Sequence, residues 1–165
     1  MVKNSGFSLI ELIVVIGLLS LLTLAISSIM LTSVITSTRI RTTTKVKQAG
    51  NYALGQIQSM IRNAKTVTEC DSSGYAIEIV GSDGGSTRLL SEIDSVSGIT
   101  RIASNSGTYL TPATTTVNGF VLTCSPSDTE PTLVKVSFDL QDNGSETSTR
   151  NPSLHFETSV NLRNE

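Results

Sequence analysis

Gly6-Phe7-Ser8-Leu9-Ile10-Glu11-Leu12-Ile13-Val14-Val15-Ile16 opens a run that stays apolar to Leu31, broken only by Ser8, Glu11, Ser20, Thr23, Ser27 and Ser28. Read as helix from Phe7, this run rises about 37 Å, enough for a hydrocarbon core of about 30 Å. Gly17 within it is tolerable, because small residues let membrane helices approach closely. One carboxylate sits near its start. A charge inside such a run costs roughly 2.5–3.5 kcal/mol on insertion scales, so Glu11 is read first as a functional residue. Ahead of the run lies a short polar leader, residues 1–6, with Lys3 as its cation.

Three readings of this segment compete. It fits a plain single-pass anchor. It also fits a cleavable secretory signal, with Ala25-Ile26-Ser27 as a small-x-small cleavage site. Against the signal stand the length of the run and a glutamate inside it. The third reading comes from a resemblance.

The stretch Gly6 to Ile16 resembles the class III signal of type IV pilins and of type II secretion pseudopilins. In that family a prepilin peptidase cuts after the glycine and methylates the new N-terminal amine. The resemblance therefore implies cleavage between Gly6 and Phe7, N-methylation of Phe7, and a role for Glu11 in assembly. Physically, cleavage leaves a cationic amine four residues before Glu11. In lipid a matched pair is far less costly than a lone carboxylate. Glu11 then acts as a registration device, with simple snorkelling to the interface as the alternative.

Arg39, Arg41, Lys45 and Lys47 follow the apolar run. Counted alone, they place the C-terminal side in the cytoplasm. The leader motif implies the opposite orientation. The cluster is then either a solvated helix face or a surface that meets acidic patches on neighbouring subunits.

Residues 32–67 read as an amphipathic continuation of the helix. Its apolar stripe runs through Val46, Ala49/Gly50, Ala53, Ile57, Met60/Ile61, Ala64 and Val67 at spacings of three and four. Gly50 and Gly55 read as weak points, and Thr32 to Thr44 is rich in mediocre helix formers. Many pilins carry a proline some twenty residues into the mature helix; the region around Ser27-Ser28 has none.

Residues 68–165 read as a β-rich domain. Candidate strands are Tyr75–Val80, Thr87–Leu90, Ile99–Ile102 and Val117–Cys124. The clearest alternation is in Val134, Val136, Phe138 and Leu140, and again in Leu154, Phe156, Val160 and Leu162, with Thr158 on the apolar face. That hairpin should lay its apolar side on the helical stripe. The expected fold is α+β, a long N-terminal helix packed on a C-terminal antiparallel sheet.

Composition supports no catalytic reading. The 165 residues carry a net charge of −2 with a pI near 5.4, so nucleic acid is not suggested as a partner. No nucleophile motif, phosphate loop or zinc-type cluster occurs. His155 reads as a surface residue. Asp139, Asp142 and Asn143 are near enough to suggest calcium, but their spacing does not fit an EF-hand, and solvated acidic turns are commoner. Asn143-Gly144-Ser145 is a glycosylation-type tripeptide. No metal or cofactor is expected. Cys70 and Cys124 read as a disulfide in an exported protein, or else as two thiols.

Two short segments, Leu54-Gly55-Gln56-Ile57 through Ile61-Arg62-Asn63-Ala64 and Val160-Asn161-Leu162-Arg163-Asn164, look like J-type minor pseudopilins and W-type minor pilins. The resemblance implies a minor, tip-forming subunit, with a major filament subunit as the alternative and a membrane-tethered or secreted binding domain as the competing class. Its implied partners are prepilin peptidase, other pilin or pseudopilin subunits, an inner-membrane assembly platform, and membrane lipid before assembly. Its implied location is the inner membrane, single-pass with the C-terminal domain outside, then a filament.

Overall fold

Helix α1 spans Leu9–Asn63, the longest element in a computed structural model that describes residues 8–70, 75–105, 107–126, 131–143 and 152–162. The chain divides into two compact units, Met1–Arg41 and Thr42–Glu165.

In the first unit every described residue is exposed. This part of α1 is long and apolar enough to cross a membrane by length and composition. Its hydroxyls bond back to its own carbonyls. Ser20 Oγ donates to Gly17 O at 2.8 Å, Ser27 Oγ to Thr23 O at 2.8 Å, and Ser28 Oγ to Ala25 O at 2.8 Å. Thr23 Oγ1 donates to Leu19 O at 2.6 Å and Thr32 Oγ1 to Ser28 O at 2.9 Å. Each such bond satisfies a polar group within the helix. That is why this many Ser and Thr residues are compatible with an apolar surrounding.

The second unit begins with the remainder of α1. Val46, Gly50, Ala53, Ile57 and Ile61 are buried, one face at helical spacing. Seven strands follow: β1 (Ala64–Cys70), β2 (Ala76–Gly81), β3 (Ser86–Ile93), β4 (Thr100–Ser104), β5 (Thr115–Ser125), β6 (Leu133–Asp142) and β7 (Ser153–Asn161). They form two antiparallel sheets, β1-β2-β3-β4 and β5-β6-β7. The fold is α+β, and both sheets share one core with the helix. Ile77, Ile79, Leu89 and Ile102 enter it from the first sheet, and Val134, Val136, Phe138 and Leu140 from the second.

Two features differ from the sequence reading. The helix ends at Asn63, not Val67. Ala64 and Val67, taken as the last members of the helical stripe, lie in β1. The run Thr66-Val67-Thr68 is β-branched throughout, and such residues favour the pleated surface of a strand. The single sheet expected is also two. The Cys70–Cys124 disulfide joins β1 of one to β5 of the other, with Cα atoms 6.5 Å apart.

Within the second sheet, Phe138 stands opposite Phe156 with ring centroids 5.4 Å apart, and Phe120 lies 6.4 Å from Phe138. Val117 and Phe120 are both buried although three residues apart, which breaks simple alternation. A register shift between Asn118 and Val121 resolves it, with Gly119 at φ 59°. Glycine adopts this left-handed conformation without the penalty a Cβ brings.

Gly50 is a seat rather than a weak point. A Cβ at that position would overlap the Phe156 ring. Gly55, by contrast, has nothing within 4 Å of where its Cβ would stand. Beside this contact, Gln58 Nε2 donates to Thr158 Oγ1, so the one hydroxyl on the apolar face of β7 is satisfied by the helix.

Candidate assembly site at the N-terminal helix

Ser8 stands just before α1, and its carbonyl accepts from Glu11 N at 3.0 Å and Leu12 N at 3.2 Å. It therefore occupies the N-cap position, and Glu11 lies three residues later in the first turn. The order Ser8-Leu9-Ile10-Glu11 has the spacing of a capping box, a local signal that the sequence reading did not use. A carboxylate in the first turn is also favoured by the helix dipole. Glu11 is exposed and surrounded along the helix by exposed apolar side chains, among them Leu9, Ile10, Leu12 and Ile13. Gly6 and Phe7 lie outside the described residues.

Arg39, Arg41, Lys45 and Lys47 are all exposed on α1.

The other residues singled out in the sequence lie on the β domain. His155 is exposed, but it is paired. Its Nδ1 is 2.9 Å from Asp139 Oδ1, directly across the β6–β7 ladder. The hydrogen bond that His155 Nδ1–H donates to Asp139 raises the His155 pKa above the ordinary histidine value, and Glu157, 3.7 Å from Nε2, adds to it. Glu157 is held below the usual carboxylate range by Lys135, whose Nζ lies 2.8 Å away. These four side chains make a charged ladder on the outer face of the hairpin.

Asp139, Asp142 and Asn143 do not converge. Asp139 faces His155 on the outer side of β6, whereas Asp142 is buried on the opposite face. Three residues along a strand reverse the side, so closeness in sequence was misleading here. Among the described residues no group of three His, Cys, Asp or Glu side chains could hold a metal ion.

The sequence reading missed one polar cluster. Asp94 is buried and accepts from Val96 N at 3.0 Å, Ser97 Oγ at 2.7 Å and Arg101 Nη1 at 3.1 Å. Those bonds, the Val96 amide first, hold its pKa below the ordinary value. Arg101 Nε also donates to Thr111 O at 2.9 Å, and its guanidinium lies 3.9 Å from the Tyr109 ring centroid. The cluster fixes the β3–β4 turn. Its sequence signal was Asp94-Ser95-Val96, in which an aspartate bonds the backbone two residues on.

The family model for the prokaryotic N-terminal methylation motif matches residues 1–27. That span takes in Glu11 and most of the apolar run. The segment carries the prepilin-type methylation motif, which supports the type IV pilin and pseudopilin family. Neither the comparison with curated proteins nor that with solved structures gives a match. The motif belongs to structural subunits, not enzymes. It implies processing by prepilin peptidase and assembly with other pilin subunits. The apolar helix is consistent with a membrane-anchored pilin-like chain.

Proposed function

We propose that this pilin-like chain is cut between Gly6 and Phe7, methylated on the Phe7 amine, and held in the inner membrane by residues 7–31 with its β domain outside. It then enters a type IV pilus-like or type II secretion filament through the assembly platform. Glu11 sets the register of the incoming subunit by meeting a terminal amine, its own or a neighbour's. The observation that carries this reading is the methylation motif over residues 1–27 joined to an exposed apolar helix with one carboxylate in its first turn. We further assign the chain as a minor, tip-forming subunit, on the short similarities at residues 54–64 and 160–164; the major filament subunit is the second reading.

Mass spectrometry of the purified mature chain tests the class. An N-terminus at methylated Phe7 is expected. An intact N-terminus, or one near Ser28, would instead favour a tethered or secreted binding domain. Abundance in sheared filaments tests the subtype, with a trace amount expected and a stoichiometric one assigning the major subunit.

A further inference from the structure

The two sheets end in β1, β4, β5 and β7, and the first three of these are engaged on both sides. Beyond β4 the chain folds back: Leu110 N donates to Ile102 O at 2.8 Å, Ile102 N to Thr111 Oγ1 at 3.2 Å and Ser104 N to Thr108 O at 2.8 Å. β1 and β5 are tied to each other by the Cys70–Cys124 disulfide. Among the described residues, no strand pairs with β7 on the side away from β6.

An open strand edge invites pairing, and proteins commonly blunt it with proline, lysine or a bulge. β7 carries none of these. It pairs with β6 from Ser153↔Gln141 to Asn161↔Leu133 without a register shift. Its nine residues exceed the five or six of an ordinary strand. Leu162 N donates to Thr132 O at 2.9 Å in the same register. Backbone groups alternate sides along a strand, so the even-numbered residues face β6. The N–H and C=O groups of Ser153, His155, Glu157, Ser159 and Asn161 therefore point outward. The side chains of these five residues are exposed as well.

The face of the sheet narrows what can pair there. Gly50 of α1 lies against the Phe156 ring and Gln58 donates to Thr158, so the helix passes over β7. A second copy joined through the same edge would set two such helices over strands about 4.8 Å apart. Packed helices need about 8–10 Å between axes. An extended segment with no helix of its own on that face meets no such obstacle. Charge narrows it further. Opposite charges across a strand pair stabilise it and like charges do the reverse. His155, backed by Asp139, favours a carboxylate opposite it, and Glu157 favours a cation.

We propose that the outer edge of β7 binds an extended segment of another protein as a fourth, antiparallel strand, with a Lys or Arg opposite Glu157 and an Asp or Glu opposite His155. In the partner the cation comes first and the carboxylate two residues later. Main-chain hydrogen bonds supply the attraction, and the charge order supplies the choice of partner.

The test is fluorescence polarisation of a labelled, end-capped peptide, Thr-Val-Lys-Val-Glu-Val-Thr, titrated with the full chain in detergent and with empty micelles. Saturable binding to the chain is expected. The peptide with Lys and Glu exchanged has the same composition, and so the same partition into detergent, and should bind about tenfold more weakly. N-methylation of the Lys and Glu amides, which face β7, should abolish binding; N-methylation of the central Val amide, which faces away, should not. Ser159→Pro removes one outward N–H at an edge position where proline is tolerated, and should weaken binding while the circular dichroism of the fold is kept. No binding above empty micelles, equal affinity for the two peptides, or indifference to methylation of the Lys and Glu amides overturns the proposal. So does peptide binding unchanged by Ser159→Pro. Self-association of the chain that Ser159→Pro abolishes gives the edge to a second copy and overturns the choice of partner.

Discussion

The Phe156 ring of β7 rests directly on the backbone of Gly50 in α1, in the space a side chain would occupy. Phe156 stacks in turn on Phe138, which is fully buried. One glycine therefore sets how closely the C-terminal hairpin approaches the helix. Gly50→Ala is expected to destabilise the fold by about 1–3 kcal/mol, despite the better helix propensity of alanine, because overpacking a rigid ring outweighs it. Gly55→Ala meets open space and is expected to stabilise by about 0.5–1 kcal/mol. Thermal unfolding of the two variants, followed by circular dichroism in one detergent, should move the midpoint in opposite directions.

Cys70 and Cys124 close a sequence separation of 54 residues across the two sheets. In the chain-entropy model such a loop is worth about 4 kcal/mol, and native disulfides typically contribute about 2–5 kcal/mol. The Cys70→Ser/Cys124→Ser variant should lose that amount in denaturant titration. Adding reductant should lower the native chain towards the variant and leave the variant unchanged.

His155 and Asp94 make opposite contributions to pH dependence. The folded pKa of His155 lies above its ordinary 6.5. Its stabilising effect is complete below that value and is lost as pH rises through the folded value. Asp94 lies below its ordinary 3.8, so its contribution is present above that value and is lost as pH falls through the folded one. Melting midpoints measured from about pH 5.5 to 8.5 should fall on the alkaline side. His155→Gln should flatten that part of the curve and leave the acid limb in place.

Glu11→Ala is expected to leave processing at Phe7 intact and to reduce incorporation into filaments severely. The comparison to make is between processed protein in the membrane and protein in the sheared fraction. Normal incorporation of the mutant would remove Glu11 from the assembly mechanism. Glu11→Asp, which keeps the charge but shortens the reach, should incorporate at an intermediate level.

The N-terminal helix was legible because its signals are local. Composition gives the apolar span, and the motif from Gly6 to Ile16 carries the resemblance to pilins. The hairpin of β6 and β7 was also legible, since alternation from Val134 to Leu140 and from Leu154 to Leu162 specifies one buried face. Strand β1 was not, because Ala64 and Val67 happen to continue the helical spacing. The division into two sheets depends on pairings between distant segments, which no local pattern encodes. Gly50 was misread for a related reason. Propensity describes a glycine within its own helix, and here the decisive atom lies on β7, over a hundred residues away in sequence.

The hydroxyls of Ser20, Thr23, Ser27, Ser28 and Thr32 all donate to carbonyls of their own helix. None needs an outside acceptor. That stretch of α1 can thus trade acyl chains for neighbouring protein without breaking a side-chain hydrogen bond, and its preference between the two is decided by van der Waals fit. Along that segment the hydroxyls are neutral to the exchange of surroundings, which leaves the charge of Glu11 to distinguish a matched position from an unmatched one.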